Sequence, residues 1–179
     1  SPGQDAASQQ HAERAIGQMR SALRVGTDCS GLDTPVLALR AMGTKHQHLF
    51  SCDIVPYVRK YLRDNVSAGT VIYEDLLKRD NASTPAVDLY IAGFPCQPFS
   101  SAGCQRGFAD PRGTVFGGCV DYISRHRPAA FVLENVKVLA TTRTEDGSTA
   151  IEQVRTTLKH INGKGYYQVH DKLLNTCHY

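Results

Sequence analysis

The feature that most constrains this chain is the alternation of short apolar runs with longer amphipathic stretches after residue 22. Short runs bounded by Gly, Asp or Pro are typical of buried strands, and the segments between them have helical periodicity. Strands separated by helices predict βαβ units and a mostly parallel, doubly wound α/β sheet. The predicted strands cover residues 23–28, 47–53, 70–73, 87–92, 129–133 and 167–174. The predicted helices cover residues 35–42, 56–65, 115–126 and 149–161.

Composition indicates one globular domain preceded by a tail. Residues 1–22 are rich in Gln, Ala and Ser, which predicts a flexible or weakly helical segment before a domain over residues 23–179. With 41% hydrophobic and 21% charged residues, the chain is not disordered throughout. No apolar run approaches the roughly 18 residues of a membrane span. The net charge of +3 is compatible with a polyanionic partner but does not require one.

The cysteines indicate a reducing compartment. There are six, without a Cys-x-x-Cys pair, so a zinc site built on paired thiolates has no support and no metal is expected. In a chain of this length they are typical of the free thiols of an intracellular protein. Such a protein would lie in the nucleus of a eukaryote or the cytoplasm of a bacterium.

Residues at the ends of the first three strands suggest a nucleotide-type cofactor site. Gly31 permits a tight turn after the first strand, and Thr34 is predicted to cap the helix that follows. Asp53 follows Gly31 by 22 residues and ends the second strand, where such folds hold ribose hydroxyls. Asp75, after the third strand, could accept a hydrogen bond from an adenine amine. For each residue alone, an ordinary turn or a solvated carboxylate is the alternative, and together they favour the cofactor site.

Two further residues suggest covalent chemistry. Cys96 lies between Pro95 and Pro98, which predicts a thiol held on a stiff loop at the carboxyl edge of the sheet. Such a thiol could act as a nucleophile, and a buried structural cysteine is the alternative. Glu134 ends the fifth strand and would serve as a proton donor beside Cys96 if the two strands are neighbours, unless it only caps a helix. The long loops predicted at 94–113 and 136–148 are expected to be functional.

These motifs together resemble the cytosine-5 DNA methyltransferase family. The string GFPCQPFSSAG at residues 93–103 is followed by Glu-Asn-Val at 134–136, with RGTVF at 112–116 and TDCSG at 27–31 in the expected order. The resemblance runs from about residue 23 to residue 179. It implies a Rossmann-like, S-adenosylmethionine-dependent methyltransferase fold that acts on a cytosine flipped out of double-stranded DNA. It also implies that Cys96 attacks C6 of the cytosine, that Glu134 protonates N3, and that C5 receives the methyl group.

The resemblance assigns further residues to the site. Those implied to contact the cofactor are Asp28, Cys29, Ser30, Gly31, Asp53, Ile54, Asp75 and Leu76. Those implied to border the target base or its phosphate are Pro95, Gln97, Ser100, Arg112, Asn135 and Val136.

The chain departs from the family pattern in its cofactor turn and in its length. The family has an aromatic residue where Cys29 stands and glycines where Asp33 and Thr34 stand. Asp33 is therefore expected to place a negative charge near the methionine carboxylate of the cofactor. The sequence stops where the family continues into a Gln-x-Arg-x-Arg segment and a target-recognition region. We expect a partial catalytic domain that a complementary protein segment or subunit completes.

Two other functions remain open from the sequence. One is an inactive, methyltransferase-derived subunit with a structural or interaction role in a larger assembly. The other is a tRNA cytosine-5 methyltransferase, since one branch of the family methylates tRNA. That branch tends to have Pro-Pro-Cys-Gln at the nucleophile, and Phe94 before Pro95 in this chain favours DNA.

Overall fold

Parallel strands form the centre of the computed structural model, which describes residues 22–95, 115–141, 143, 147–163 and 165–175. The described strands form one five-stranded sheet in the order β3-β2-β1-β4-β5, and every pairing is parallel. This confirms the predicted α/β class. The strands are β1 (Leu23–Asp28), β2 (His46–Cys52), β3 (Val71–Tyr73), β4 (Leu89–Ala92) and β5 (Ala130–Leu133).

The helices follow the predicted pattern closely. They are α1 (Thr34–Ala41), α2 (Pro56–Asn65), α3 (Val115–His126) and α4 (Ala150–His160), with a short 3-10 helix at Lys137–Ala140. The predicted bounds of α2 and α3 are confirmed, and those of α1 and α4 differ by one residue at each end. Among the described residues, no helix combines the length and the apolar character that crossing a membrane requires. The predicted tail falls almost entirely outside the described residues.

Alternating side chains of β4 divide the core between the two faces of the sheet. Tyr90 and Ala92 belong to a large cluster with α3 and α4, whereas Leu89 and Ile91 belong to a small cluster with α1. On β5, Val132 pairs with Ile91 in register, yet its side chain is 53% exposed. The described residues therefore leave the α1 face of the sheet uncovered beyond β4.

Strand order sets the point at which the direction of the sheet reverses. β1 is the central strand. β2 and then β3 lie on one side of it, and β4 and then β5 lie on the other side. In doubly wound sheets, ligands bind beyond the carboxyl ends of the strands where this direction reverses. That point lies here between β1 and β4.

Two local predictions were wrong. Residues 167–174 do not form a strand. Instead, the Tyr167 ring packs edge-on against Phe131 with centroids 5.0 Å apart, and its hydroxyl donates to the Pro128 carbonyl at 2.9 Å. Packing thus accounts for the apolar side chain at 167 without a strand ladder. Thr34 is not the N-cap of α1, because the helix includes it and Asp33 occupies the cap position.

Candidate functional site

The turn after β1 has an unusual backbone. Cys29, Gly31 and Asp33 all have left-handed φ values, of 50°, 52° and 54°. Apart from its chain neighbours, no described residue has an atom within 4 Å of the point where a Cβ on Gly31 would stand, so the described residues leave that side of its main chain open. Ser30 attaches the turn to the end of β2, because its amide donates to the Cys52 carbonyl at 3.0 Å and its hydroxyl accepts from the Cys52 amide at 2.9 Å.

Asp53 lies directly beside this turn. One carboxylate oxygen accepts from the Gly31 amide at 3.0 Å, and the other accepts from the Val55 amide at 2.9 Å. The Arg59 side chain, which the sequence analysis missed, donates to the carbonyls of Asp53 and Ile54 at 2.9 and 2.6 Å. The Ile54 side chain is 67% exposed next to this fixed carboxylate. An apolar surface and a hydrogen-bond acceptor therefore stand together at the end of β2.

The side chain of Asp28 is buried beneath the turn. Its two oxygens accept from the Arg79 guanidinium at 2.6 and 2.7 Å, and one also accepts from the Tyr90 hydroxyl. Burial raises the pKa of Asp28, while the charge and hydrogen bonds of Arg79 and the Tyr90 bond act in the opposite direction. Because Asp28 is only 1% exposed, any contact that it makes with a cofactor would come from its main chain.

Arg79 is a second cation that the sequence analysis did not find. Its guanidinium lies 5.0, 5.1 and 5.6 Å from the ring centroids of Phe50, Tyr73 and Tyr122. Burial disfavours its charged form, but the charge and hydrogen bonds of Asp28 outweigh this and raise the pKa of Arg79. Arg79 follows two leucines and a lysine in a segment without clear periodicity, so no sequence signal indicated a buried cation there.

Asp33 is also buried, contrary to the expectation of a charge beside the cofactor. Its carboxylate is 4% exposed and accepts from the hydroxyls of Thr27 on β1 and Ser51 on β2, each at 2.6 Å. The ring of His48, on β2, lies 3.7 Å from the same carboxylate. Burial lowers the pKa of His48, although the charge of Asp33 opposes this, and the imidazole is therefore neutral at pH 7. Because β1 and β2 also contain other polar residues, nothing in the sequence singled out Thr27, His48 and Ser51 as this cluster.

Asp75 and Leu76, in the segment after β3, differ in exposure and in their contacts. Asp75 accepts from the Leu77 amide at 2.9 Å and lies 3.3 Å from the Lys78 ammonium. The Leu76 side chain is 6% exposed within the core cluster and packs against Gly118 of α3. A contact between Leu76 and a cofactor would therefore be made by its main chain.

The ends of β4 and β5 lie side by side, which is the condition that the sequence analysis set for a Glu134–Cys96 pair. The Asn135 side chain donates to the Phe94 carbonyl at 2.8 Å, which fixes the Glu-Asn-Val segment against the start of the Cys96 loop. Glu134 Oε2 lies 3.5 Å from the point where a Cβ on Gly93 would stand, and 3.8 Å separates that point from the Cys29 carbonyl. Glu134 is exposed. Glu134 thus stands at the edge between the cofactor turn and the segment leading to Cys96.

The remaining predicted residues divide into two groups. Pro95 and Val136 are described, and both are exposed at this edge. Cys96, Gln97, Ser100 and Arg112 lie outside the described residues, so their predicted roles stay predictions.

The Cys29 thiol is half-buried at the turn, and burial, with the charges of Asp28 and Asp53, raises its pKa to about 12.

Comparison with known proteins decides the family. A family model described as C-5 cytosine-specific DNA methylase matches residues 29–179. The chain belongs to this family. The match covers the turn, the Asp53 region, the Cys96 loop and the Glu-Asn-Val segment, which confirms the resemblance read from the sequence.

Among similar proteins, the Type II methyltransferase M.NgoBV of Neisseria gonorrhoeae is 35% identical over 139 residues, covering 77% of this chain and 32% of that protein. M.NgoBI of the same species is 38% identical, covering 72% of this chain and 38% of that protein. M.HaeII of Haemophilus aegyptius is 35% identical, with 78% and 41% covered. The chain therefore spans about a third to two fifths of the length of these relatives.

Solved structures agree on the fold. The Dnmt2 methyltransferase of S. pombe superposes with a TM-score of 0.56 at 21% identity, covering 76% of this chain and 41% of that chain. A DNMT2 mutant of Spodoptera frugiperda superposes with a TM-score of 0.57 at 19% identity, covering 79% and 42%. At such identities the similarity establishes a shared methyltransferase fold and nothing further.

Proposed function

We propose that this chain forms the cofactor-binding and nucleophile-bearing part of a DNA cytosine-5 methyltransferase. The observation that carries the proposal is the hydrogen bond from Asn135 to the Phe94 carbonyl. It joins the glutamate-bearing end of β5 to the segment that continues through Pro95 into Cys96. Glu134 and the segment that leads to Cys96 therefore follow neighbouring strands, which supports the proposal.

The residues at the β1 and β2 ends fit S-adenosylmethionine. Open space beside Gly31 lets a ligand approach the main chain, and Asp53 supplies a carboxylate suited to ribose hydroxyls. The exposed Ile54 side chain offers an apolar surface for an adenine ring. When bound, the cofactor would supply the electrophilic methyl group. Cys29, Ser30 and the main chain of Asp28 and Leu76 complete the set of residues proposed to border it, with Asp75 at the adenine end.

In the proposed reaction, the Cys96 sulfur forms a bond with C6 of the cytosine, and the electrons of the C5–C6 double bond become available at C5. Glu134 holds N3 and protonates it, so that negative charge does not accumulate on the ring. After C5 has been methylated, loss of its proton restores the double bond and expels the Cys96 thiolate. The cytosine must be extruded from the duplex, because the stacked base does not expose these atoms.

DNA contacts are proposed for the two segments that flank this edge. Pro95 and Val136 are exposed there, and Gln97, Ser100 and Arg112 are proposed from their sequence positions to border the extruded nucleotide or its phosphate. An arginine suits phosphate binding, which fixes the register of a protein on DNA without reading its sequence. Asn135 is proposed to act mainly by positioning the Cys96 loop, because its amide is engaged with the Phe94 carbonyl.

A complementary protein segment is also proposed. Within the described residues β5 pairs with β4 alone, and Val132 exposes an apolar side chain on the uncovered face. An uncovered strand edge beside an exposed apolar face favours pairing with further polypeptide. A segment of the same longer protein or a separate subunit would serve.

The test is covalent trapping on a DNA duplex that contains 5-fluorocytosine, with S-adenosylmethionine present. Fluorine at C5 blocks the final proton loss, so a working enzyme stays attached to the base. We expect a denaturation-resistant adduct with the unmodified chain, together with its complementary segment if required, and none with Cys96→Ser. Cys104→Ser, which changes another thiol in the same loop, is the matched control and should still form the adduct. An adduct with Cys96→Ser would refute the assigned nucleophile, and an adduct on tRNA alone would move the substrate to RNA.

Cofactor binding is tested separately by calorimetry with S-adenosylmethionine. Saturable binding that Asp53→Ala abolishes is the expected result, because the substitution removes both the proposed ribose contact and the acceptor of the Gly31 amide. Binding unaffected by Asp53→Ala would exclude this pocket.

A further inference from the structure

The turn after β1 adopts a conformation that its sequence does not favour. Three of five consecutive residues, at 29, 31 and 33, have left-handed φ values, and only Gly31 is a glycine. A side chain in this region is strained, and such strain persists only where surrounding contacts fix the backbone. Contacts of this kind should therefore be found at Cys29 or Asp33.

Asp33 has these contacts. Its two carboxylate oxygens accept separately, one from Thr27 and one from Ser51, so the side chain joins the ends of β1 and β2. Both donors are 2% exposed or less. Charge-assisted hydrogen bonds between buried partners are stronger than those between neutral groups in water. The Asp33 amide also donates to the Ser30 carbonyl at 2.8 Å, which closes the turn on itself.

The hydrogen bonds of Asp33 continue through the Thr27 hydroxyl to Ser30, on the other side of Gly31. The Thr27 hydroxyl has one proton, which it donates to Asp33, so it accepts from the Ser30 hydroxyl 2.8 Å away. Ser30 in turn is bonded to the end of β2, because its amide donates to the Cys52 carbonyl and its hydroxyl accepts from the Cys52 amide. The hydrogen bonds of Ser30 and Asp33 therefore fix the backbone on both sides of Gly31, whose amide donates to Asp53.

We propose that Asp33 is a positioning residue for the cofactor turn, acting through Thr27 and Ser51. It holds the turn in left-handed geometry by hydrogen bonds at a position where the family pattern has glycine. Its carboxylate is directed into the space between β1 and β2, where the Thr27 and Ser51 hydroxyls donate to it. The inference rests on the proposed binding of S-adenosylmethionine at this turn.

Three substitutions separate the contributions of backbone strain and hydrogen bonding. Asp33→Asn keeps an acceptor and tolerates the left-handed conformation. Asp33→Gly relieves the strain but removes both bonds, and Asp33→Ala keeps the strain and removes both bonds. Calorimetry with S-adenosylmethionine should rank affinity as unmodified chain, then Asn, then Gly, then Ala. We expect a loss of about threefold or less for Asn and about tenfold or more for Ala.

The control substitution is Tyr167→Phe. It removes a hydroxyl that donates to the Pro128 carbonyl, before the start of β5 and therefore at the opposite edge of the sheet. A general loss of stability would lower the unfolding midpoint of Tyr167→Phe and of the Asp33 variants alike. Only the Asp33 variants should change the dissociation constant of the folded protein for S-adenosylmethionine. Binding by Asp33→Gly equal to or tighter than that of the unmodified chain would overturn the proposal. So would equal losses for Asn and Ala.

A second measurement does not depend on the cofactor. Amide hydrogen exchange of the free chain should accelerate at Ser30 and Gly31 in Asp33→Ala, and remain unchanged in α4, where the described contacts are independent of the turn. Unchanged exchange at the turn would overturn the positioning role. If the unmodified chain fails to bind S-adenosylmethionine while exchange responds as expected, the proposed cofactor site fails and the positioning of the turn by Asp33 stands.

Discussion

Replacing Arg79 with methionine removes the cation that compensates a buried carboxylate. Methionine fills much of the volume between the aromatic rings, so the main effect is electrostatic. The Asp28 and Arg79 side chains are 0% and 4% exposed, and the substitution leaves Asp28 with the Tyr90 hydroxyl but without its two guanidinium bonds. Breaking a buried ion pair from one side costs about 3–5 kcal/mol.

Urea unfolding followed by circular dichroism measures this loss. With a dependence of about 2 kcal/mol per molar urea, the midpoint for Arg79→Met should fall by about 1.5–2.5 M. The double variant Asp28→Asn/Arg79→Met removes both charges and should recover to within about 1–2 kcal/mol of the unmodified chain. Asp28→Asn alone completes the double-mutant cycle that isolates the interaction between the pair.

The pH dependence of Arg79→Met follows from the same contacts. Burial already raises the pKa of Asp28, and loss of Arg79 removes the main opposing influence. A carboxyl whose folded-state pKa is raised contributes stability at low pH, and this is lost as the pH rises through that pKa. The stability difference between Arg79→Met and the unmodified chain should therefore narrow as the pH is lowered from 8 towards 4. A loss below about 1 kcal/mol at pH 7, or no recovery in the double variant, would refute this account of the pair.

Three further results are expected. Gly26→Ala would place a Cβ 2.2 Å from the ring of Phe50, which is fully buried, so the melting temperature should fall with a loss of about 1–3 kcal/mol, and an unchanged melting temperature would contradict the packing. Thr149→Ala removes the capping box of α4 and should cost about 1 kcal/mol with faster amide exchange in the first helical turn, whereas unchanged exchange there would show that the cap is dispensable. Burial raises the pKa of Cys29 and of Cys52 to about 12, so alkylation at pH 8 should be on the order of a thousandfold slower than for an unperturbed thiol. Rapid labelling of either thiol in the folded chain would contradict this.

Most of the sheet could be predicted because strand and helix periodicities differ. The predicted strand at 23–28 is confirmed at both ends, and the next four strands are confirmed with small shifts at their ends. The strand predicted at 167–174 was wrong, because alternation of apolar residues does not reveal whether a neighbouring strand is available. Tyr167 satisfies the apolar pattern by packing on Phe131 instead.

The site was less predictable than the fold, because it depends on where side chains point. Asp53 was expected at the cofactor turn from its spacing, and the structure brings it to the Gly31 amide. Asp28 and Asp33 are aspartates near the same turn, as Asp53 is, but their carboxylates are buried. Asp33 accepts from Ser51 and Asp28 accepts from Arg79, which are both distant in sequence. Arg79 lies 51 residues from Asp28, and only the folded sheet brings the two together.

The position of β1 at the centre of the sheet has a consequence for the order of folding during synthesis. Residues 22–75 contain three adjacent strands and the Ser30, Asp33 and Asp53 contacts of the turn, so this half can assemble before β4 is made. Its free edge is then β1 itself, which β4 and later β5 must cover. Synthesis proceeds from the N-terminus, and pairings between distant segments form slowly. We therefore expect the cofactor turn to form early, whereas the Asn135–Phe94 contact that aligns the reactive groups forms only when the last strand has joined.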